Sequence, residues 1–322
     1  MTAFNTVSPS DPLAVPAAAL HETLLHASLR RFARHRLAVF GVVMLSAVVL
    51  FAVFGPLLFA DPYHIELSQL DKPPSAAHIL GTDQSGRDVA ARVATGARTS
   101  LIVGFGAVAL YVVIGVAIGL TAGFLGRVRL GGAIPLPRGR RFSAYITVDN
   151  VLMRFTDIVM SIPTLLLIIV FVSVVGPSLL SVIAIIGLLG WPATARILRG
   201  LILQLREAEF VTAARVIGVR NRRIAIAHLL PNVLGPLTVL ATFGVATAIL
   251  LEATLSFLGL GVQTPEPSLG NMIFEARDSN VLKTLPWLWL PPGILIALTV
   301  LAVNFIGDGL RDALDPRSTR RL

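Results

Sequence analysis

Long apolar runs without charge, rather than short alternations of apolar and polar residues, dominate the pattern of this sequence. The runs lie at 37–60, 99–126, 158–195, 235–258 and 284–307. Glu252 is the only charged residue in any of them. Since about 20 apolar residues in a helix cross the hydrocarbon core of a bilayer, four of the runs predict one membrane-spanning helix each.

The run at 158–195 is 38 residues long, which is too long for a single span. Gly176-Pro177-Ser178 interrupts it, and a Gly-Pro pair is typical of a turn. We therefore predict two helices joined by a tight turn, the first of which begins a few residues before Ile158. Arg154 and Asp157 then lie on one face of that helix, where we expect them to pair. Together with the other four runs, this predicts about six membrane-spanning helices with both termini on one side.

Composition supports a chain whose main solvent is lipid. Hydrophobic residues make up 55% of the 322 residues and charged residues only 14%, and the mean hydropathy is +0.79. Ordinary soluble domains are roughly 25% charged. Cysteine is absent, which excludes a disulfide framework, a thiolate zinc site and a cysteine nucleophile.

Basic residues are concentrated on one side of the predicted topology and account for the formal net charge of +9. Of the 27 Lys and Arg residues, 20 lie in the segments on one side and six in those on the other. The two sides consist of 1–36, 127–147, 196–234 and 308–322 against 61–98, 174–178 and 259–283. Because Lys and Arg mark cytoplasmic loops, both termini and 196–234 are predicted to be cytoplasmic. Nucleic-acid binding is then not needed to explain the charge.

Two further features lie within the predicted spans. Gly115, Gly119 and Gly123 recur every four residues, which predicts a stripe along which another helix packs closely. Glu252 is a carboxylate inside the fifth span and must be paired or hydrated there. A structural role, either hydrogen bonding between helices or facing the aqueous cavity, is favoured for it over contact with a substrate.

Three segments resemble motifs of common enzymes, but none has the residues or the setting that the motif requires. The segment from Gly81 to Asp88 has the glycine spacing of a phosphate-binding loop but lacks its Lys and its Ser or Thr. A dinucleotide-type Gly pattern at 104–109 lies inside a predicted span, where no strand-turn-helix can form. His21 and His26 are one residue too far apart for a zinc-peptidase helix. The sequence therefore gives no support for a catalytic site.

The longest loop on the basic side, 198–236, carries the most informative pattern. Its apolar residues Phe210, Val211, Ala214 and Ile217 predict a helix with an apolar stripe. Gly218 can end that helix, because glycine adopts positive φ freely. This pattern alone suits a helix lying flat on the membrane surface as well as a helix that binds a partner.

A second short helix is predicted after this turn, from Asn221 to Leu230. Arg220, Arg222 and Arg223 surround its start. Pro231 is then expected to redirect the chain toward the fifth span.

These residues resemble the EAA loop of ABC importer permeases through Ala213-Ala214, Gly218 and Leu230-Pro231. The strings at 81–88, 255–261 and 304–316 closely resemble the C-type permease of oligopeptide and dipeptide importers. The resemblance runs from about Arg30 to Pro316. It implies an all-α polytopic fold of the type I ABC importer permeases, with a short-peptide translocation path formed together with a homologous subunit.

The resemblance also implies partners and a site. The partners would be a B-type permease in a heterodimer, two ABC ATPase subunits that bind ATP and magnesium, and an external peptide-binding protein. The chain itself would bind no cofactor or metal and would catalyse no reaction. The ATPase-coupling residues would be Glu209, Phe210, Thr212, Ala213, Ala214, Gly218, Leu230 and Pro231. Thr212 departs from the family pattern, which usually has a Glu there.

The domain organisation that follows has five parts in the bacterial cytoplasmic (inner) membrane. These are a cytoplasmic segment 1–36, a first span 37–60, a periplasmic loop 61–98, a permease core 99–308 with the coupling loop 198–236, and a cytoplasmic tail 309–322. The basic segment 127–147 is interpreted as a solvated cytoplasmic insertion, with acidic lipid as an alternative partner. A stand-alone secondary transporter or channel and a membrane-embedded enzyme are the alternative functions.

Overall fold

The computed structural model describes residues 24–126, 129–130, 133–135, 141–143 and 146–314. His21, the rest of the first 23 residues and the tail after Leu314 lie outside the described residues. Most of the basic insertion at 127–147 lies outside them as well.

Helices make up nearly all of this structure. In chain order they are α1 Leu24–Arg34, α2 Arg36–Leu58, α3 Val89–Leu120, α4 Val148–Ser161, α5 Thr164–Val175, α6 Leu179–Leu205, α7 Glu209–Val216, α8 Asn221–Arg223, α9 Leu230–Phe257, α10 Leu269–Glu275, α11 Ser279–Thr284 and α12 Pro286–Leu314. A 3₁₀ turn lies at Leu67–Gln69, and π-helical turns at Thr121–Leu125 and Ile224–Leu229 extend α3 and precede α9. Within the described residues the fold class is therefore all-α apart from four very short strands.

Five of the helices in the described part are long and apolar enough to cross a membrane, and the bent pair α4 and α5 would make a sixth span. The prediction of about six spans is thus confirmed. Many apolar side chains on these helices are exposed, because lipid takes the place of water around them.

The span predicted to end at Val175 is not one helix. Helices α4 and α5 meet at an angle of 83°. Pro163 explains the break, since proline disfavours the helical conformation of the residue before it. Ile162 accordingly has φ −101° and ψ 133°, an extended backbone.

The second span begins earlier than the uncharged run indicated. Helix α3 starts at Val89, so part of the loop predicted at 61–98 is helical. Asp88 caps it, accepting a hydrogen bond from the backbone N–H of Ala91 at 2.8 Å. Two charged residues concealed this start. Arg92 is buried in the described structure and paired with acidic side chains, and Arg98, which directly precedes the uncharged run, is exposed.

Helix α3 is the centre of the bundle and packs against α2, α6 and α9, while α12 packs against α2 and α9. Its contact with α6 follows the predicted glycine stripe. A Cβ added at Gly115 would lie 2.8 Å from Cβ of Thr194, and one at Gly123 would lie 2.8 Å from Cβ of Ile202. Only glycine permits this close approach of the two backbones.

Short strands occupy the part of the basic insertion that the structure describes. β1 (Arg129–Leu130) pairs antiparallel with β4 (Ile146–Thr147), and β2 (Ala133–Pro135) pairs antiparallel with β3 (Arg141–Ser143). The sequence pattern did not predict these two strand pairs.

Replacing Gly119 by Ala should destabilise the helix pair. The new Cβ would lie 2.7 Å from the carbonyl oxygen of Ala195 and 3.0 Å from Cβ of Leu198, so a backbone must move. We expect a loss of about 1–3 kcal/mol, seen as a lower midpoint of thermal unfolding in detergent. Gly200→Ala on α6 is the matched control, because a Cβ there meets nothing within 4 Å. Equal midpoints for the two variants would contradict the packing role.

Candidate functional site

The loop predicted at 198–236 is mostly helical. Helix α6 continues to Leu205, and a continuous 37-residue helix runs from Asn221 to Phe257. The non-helical connections are short, and α7 lies between them. Helix α7 is therefore a short helix held between the ends of two long ones.

Arg206 fixes the connection from α6 to α7. Its Nη1 donates a hydrogen bond to the backbone oxygen of Gly123 at 2.9 Å, and its Nε lies 3.1 Å from the carboxylate of Glu207. Gly123 belongs to the π-helical turn at the end of α3. The start of the α7 segment is thus tied to α3 as well as to α6.

Two ion pairs fasten α4 to α6 in the same region. Arg199 holds the carboxylate of Asp149 in a bidentate pair, with both N–O distances 2.5 Å. Asp157 pairs with Arg196 of α6. The expected pair of Asp157 with Arg154 is therefore wrong, because α6 brings Arg196 within reach and so satisfies this carboxylate from another helix.

One face of α7 is part of the protein interior. Val211 and Ala214 are buried, and Ala214 is only 6% exposed. They belong to a cluster with Phe124, Leu198, Ile202, Ile224, Ala225, Leu229 and Val233. The partner-contact role expected for Ala214 is thus at odds with its position, since this side chain faces the chain's own helices.

The neighbouring face of α7, turned about 100° from the buried one, is exposed and partly apolar. Phe210, Ala213 and Ile217 follow at i, i+3 and i+7, so they share one side of the helix. Ile217 is 77% exposed. The predicted stripe of Phe210, Val211, Ala214 and Ile217 is therefore split between two faces, two residues inside and two outside.

Gly218 ends this helix segment in the way the sequence predicted. Its φ is +77°, which strains any residue with a side chain. The N–H of Val219 donates to the carbonyl oxygen of Ala214 at 3.0 Å, and that of Gly218 to Arg215 at 3.0 Å. A Cβ at Gly218 would meet nothing within 4 Å, so the requirement for glycine comes from the backbone alone.

The remaining residues of the expected motif lie apart from this exposed face. Thr212 is exposed, and its hydroxyl lies 3.4 Å from the carbonyl oxygen of Ala208.

Leu230 and Pro231 begin α9 without redirecting the chain, which corrects the expected turn. The π-helical turn at Ile224–Leu229 precedes Pro231, and such irregular turns accommodate the missing N–H of a proline. Glu209 opens α7 at its exposed first turn.

The far end of α3 carries a charged cluster that sequence reasoning missed. Because the helix is continuous from Val89 to Leu125, this end lies about 50 Å from Gly123. Arg92, 1% exposed, contacts Asp83 at 2.5 Å and both carboxylate oxygens of Glu275 at 2.7 and 3.0 Å. Arg87 also pairs with Asp83, at 2.7 Å. A cavity of about 1070 Å³ adjoins the cluster.

The same cluster explains the segment from Gly81 to Asp88 that imitates a phosphate loop. Asp83 Oδ1 accepts hydrogen bonds from the backbone N–H groups of Ser85 and Arg87 at 2.8 and 2.9 Å. The segment thus folds around its own carboxylate. The signal available in the sequence was the alternation of acidic and basic residues from Asp83 onward.

Glu252 joins three helices within the membrane region. It is fully buried and accepts hydrogen bonds from Ser100 of α3 at 2.8 Å and from Ser256 of α9 at 2.7 Å. Ser268, which caps α10, donates to Ser256 at 3.2 Å. This geometry is the hydrogen bonding between helices that was favoured for Glu252. Within the described residues no group of three or more His, Asp or Glu side chains could hold a metal ion.

Two family models match the chain. Residues 139–320 match the binding-protein-dependent transport system inner membrane component, and residues 23–74 match the N-terminal TM domain of oligopeptide transport permease C. The first match covers more than half of the chain.

Individual relatives match nearly the whole sequence. A Brucella suis protein described as a peptide permease protein is 42% identical over 292 residues, 90% of each chain. The dipeptide transport system permease protein DppC of Alkalihalophilus pseudofirmus is 40% identical over 90% of this chain and 89% of its own. The oligopeptide transport system permease protein OppC of Bacillus subtilis is 37% identical, over 90% and 88%.

Fold and site together define a polytopic α-helical membrane protein with a short helix presented between two long ones. The chain belongs to the family of binding-protein-dependent transport system inner membrane components. It is thus a permease of the ABC importer class, with the fold that this family shares. Permeases of this family work with a partner ATPase and a substrate-binding protein.

Removing the hydrogen-bonding capacity of Glu252 should destabilise the bundle, whereas removing only its charge should not. Glu252→Gln keeps groups that can bond both serines. Glu252→Leu leaves buried hydroxyls without a partner, at a cost of about 1–3 kcal/mol. Thermal unfolding in detergent should therefore show a lowered midpoint for the Leu variant alone. Glu266→Gln and Glu266→Leu, at an exposed position, are the controls. A Leu variant as stable as the parent would show that these hydrogen bonds do not hold the helices.

Proposed function

We propose that this chain is the C-type permease subunit of an ATP-binding-cassette importer of short peptides. The observation that carries the proposal is the position of α7 in a chain of this family. One face of α7 packs against the ends of long membrane helices, and an apolar face remains exposed. The names of the relatives in Alkalihalophilus pseudofirmus and Bacillus subtilis, which specify dipeptide and oligopeptide transport, support the peptide substrate.

The proposed complex has four kinds of subunit. This chain forms a heterodimer with a B-type permease, and the two enclose the path for the peptide. Two ATPase subunits bind ATP with magnesium and hydrolyse it, so the permease itself catalyses nothing. A peptide-binding protein delivers the cargo from outside. Membrane lipid is the remaining partner, and nucleic acid has no role.

The proposed location is the bacterial inner membrane with both termini and α7 in the cytoplasm. The excess of basic residues on that side, 20 of 27, supports this orientation. Four arginines lie at the end of α7 or just after it, at Arg215, Arg220, Arg222 and Arg223. The charged cluster around Arg92 would then face the outside, where the binding protein arrives.

The packing of α7 suggests how motion of an ATPase would reach the membrane. Val211 and Ala214 pack against residues of α3, α6 and the helix that continues into α9. A displacement of the exposed face of α7 would therefore move the ends of these long helices, because a close-packed contact transmits displacement. The permease would thus rock between inward-facing and outward-facing states, driven by ATPase contacts that differ between them.

Replacing Ile217 by Asp should uncouple the permease without unfolding it. The side chain is 77% exposed, so the fold loses little, but a charge would enter an apolar contact. We expect at least a tenfold loss of ATPase affinity, equivalent to about 1.4 kcal/mol, and a matching loss of peptide uptake. The measurements are membrane abundance, co-purification of the ATPases and uptake of labelled di- to pentapeptides by a deletion strain that carries the variant.

The control is Ile79→Asp, at an exposed apolar residue near the far end of α3. It should retain ATPase binding at the parental level. If Ile217→Asp kept parental assembly and uptake, α7 would be a helix on the membrane surface with no coupling role. If the deletion strain, lacking other peptide importers, still took up peptides normally, the substrate assignment would be wrong.

A further inference from the structure

Helix α1 is held against the bundle at the point where the first span begins. Only His35 separates it from α2, and this residue leaves the helical conformation with φ −81° and ψ 98°. A Cβ added at Gly309 of α12 would lie 3.2 Å from the ring of Phe32 and would overlap Cβ of Ala38. Since both residues reach the same point of α12, α1 lies at the level of the first turn of α2.

The length of α2 places this junction at the surface of the bilayer. Helix α2 runs from Arg36 to Leu58, and its 23 residues make it about 35 Å long at 1.5 Å per residue. This exceeds the hydrocarbon core, about 30 Å thick, by only about 5 Å. Arg36 therefore lies at the level of the lipid headgroups, and α1, which is held beside it, meets the same layer.

The exposed surface of α1 is divided into an apolar side and a basic side. Phe32 is half-buried, whereas Leu29 is 71% exposed. At about 100° per residue, Leu29 and Ala33 share one side of the helix, and Arg30 and Arg34 share the next side. All four of these residues are exposed. An apolar side next to a basic side is the pattern of a helix that lies in a membrane interface.

Much of the positive charge at this junction is not neutralised by the chain. Within the residues that the structure describes, Arg31, Arg34 and Arg36 form no ion pair. The carboxylate of Asp312 on α12 lies 3.4 Å from Nε2 of His35. Three guanidinium groups at the headgroup level are therefore available to anions from outside the chain.

We infer that α1 is an interfacial anchor that binds anionic lipid headgroups through Arg31, Arg34 and Arg36, with Leu29 among the outer parts of the acyl chains. An acidic protein surface offers the same negative charge. The bilayer fits better, because it supplies an anionic layer and an apolar layer at the depth where α1 lies. Since α1 packs against α12, the anchor also fixes this end of α12 to the membrane surface. The inference needs α2 to span the membrane and is independent of the peptide and ATPase assignments.

The test places a fluorophore on α1 of the full chain in nanodiscs. The chain has no cysteine, so Ala33→Cys supplies a unique thiol at an exposed position. The nanodiscs contain equal amounts of phosphatidylcholine and phosphatidylglycerol, and one of the two lipids at a time carries bromine on its acyl chains. Bromine quenches only at short range, so the quenching by each lipid measures how often that lipid lies next to α1.

We expect both brominated lipids to quench, because the apolar side of α1 enters the bilayer. Quenching should indicate that phosphatidylglycerol is enriched at least about fivefold over phosphatidylcholine next to α1, the gain expected from a single arginine at an anionic surface. Raising the salt from about 0.01 to about 0.15 M should reduce this preference, since the Debye length falls from roughly 30 to roughly 8 Å. Arg31→Gln with Arg34→Gln should remove most of the preference and leave quenching by phosphatidylcholine in place.

The matched control is Arg222→Gln with Arg223→Gln, which removes the same charge from two exposed arginines on the same predicted side. It should keep the parental preference for phosphatidylglycerol. Both variants retain most of the 20 basic residues of that side, so the orientation in the membrane should persist.

Four results would overturn the inference. Absence of quenching by either lipid would show that α1 stands away from the bilayer and would leave its exposed sides to a protein in solution. Equal enrichment of the two lipids in the parent would show that α1 does not recognise headgroup charge. A preference unchanged in the Arg31 and Arg34 variant would remove these arginines from the site. An equal loss in the control variant would assign the preference to the total charge of the chain.

Discussion

The close approach of α3 and α6 is the contact on which the rest of this structure depends. Lipid offers helices no hydrophobic driving force to associate, so van der Waals packing of small residues must hold them together. Gly115, Gly119 and Gly123 allow the backbone of α6 to lie against α3 over two turns. At the end of this stripe, Arg206 donates to the carbonyl oxygen of Gly123 and so fixes where α7 begins. The position of the candidate site is therefore set by packing within the membrane.

The buried charged groups of this protein are likewise held by partners from other parts of the chain. Arg92 is buried at one end of α3 but ion-paired with Asp83 and Glu275, and Glu252 is buried but hydrogen-bonded by Ser100 and Ser256. Each group links segments far apart in sequence. A buried charge or carboxylate is tolerated only with such partners, and losing one partner leaves the other exposed to a large desolvation cost. Charges near α7, by contrast, are exposed and available to another molecule.

Much of the architecture could be predicted from the sequence because lipid imposes a simple length rule. The apolar runs predicted the number of spans. Gly218 predicted a turn, and in the structure this residue has the positive φ that favours glycine. Helix ends were harder to place. Val89 begins α3 ten residues before the uncharged run, because the start of the helix carries two charged residues. Arg92 is paired with acidic side chains and Arg98 is exposed, and a hydropathy pattern shows neither arrangement.

Side-chain direction on α7 was the other feature beyond the reach of the sequence. Periodicity placed Phe210, Val211, Ala214 and Ile217 on one stripe, yet Val211 and Ala214 face inward and Ile217 outward. On a helix of eight residues with small or apolar side chains around much of its surface, periodicity does not decide which side packs. The surrounding helices decide it. The exposed face that remains is the part of the chain most suited to a partner.

The most direct measurement of the central claim is the accessibility of residue 217 with and without the ATPases. The chain has no cysteine, so Ile217→Cys introduces a unique thiol into it. In inside-out membrane vesicles, a membrane-impermeant maleimide should label this thiol rapidly when the ATPases are absent and slowly when they are bound. Ile79→Cys should be labelled only in right-side-out vesicles. Equal labelling of residue 217 with and without bound ATPases, or labelling only from the outside, would contradict the assignment of α7 as the coupling helix.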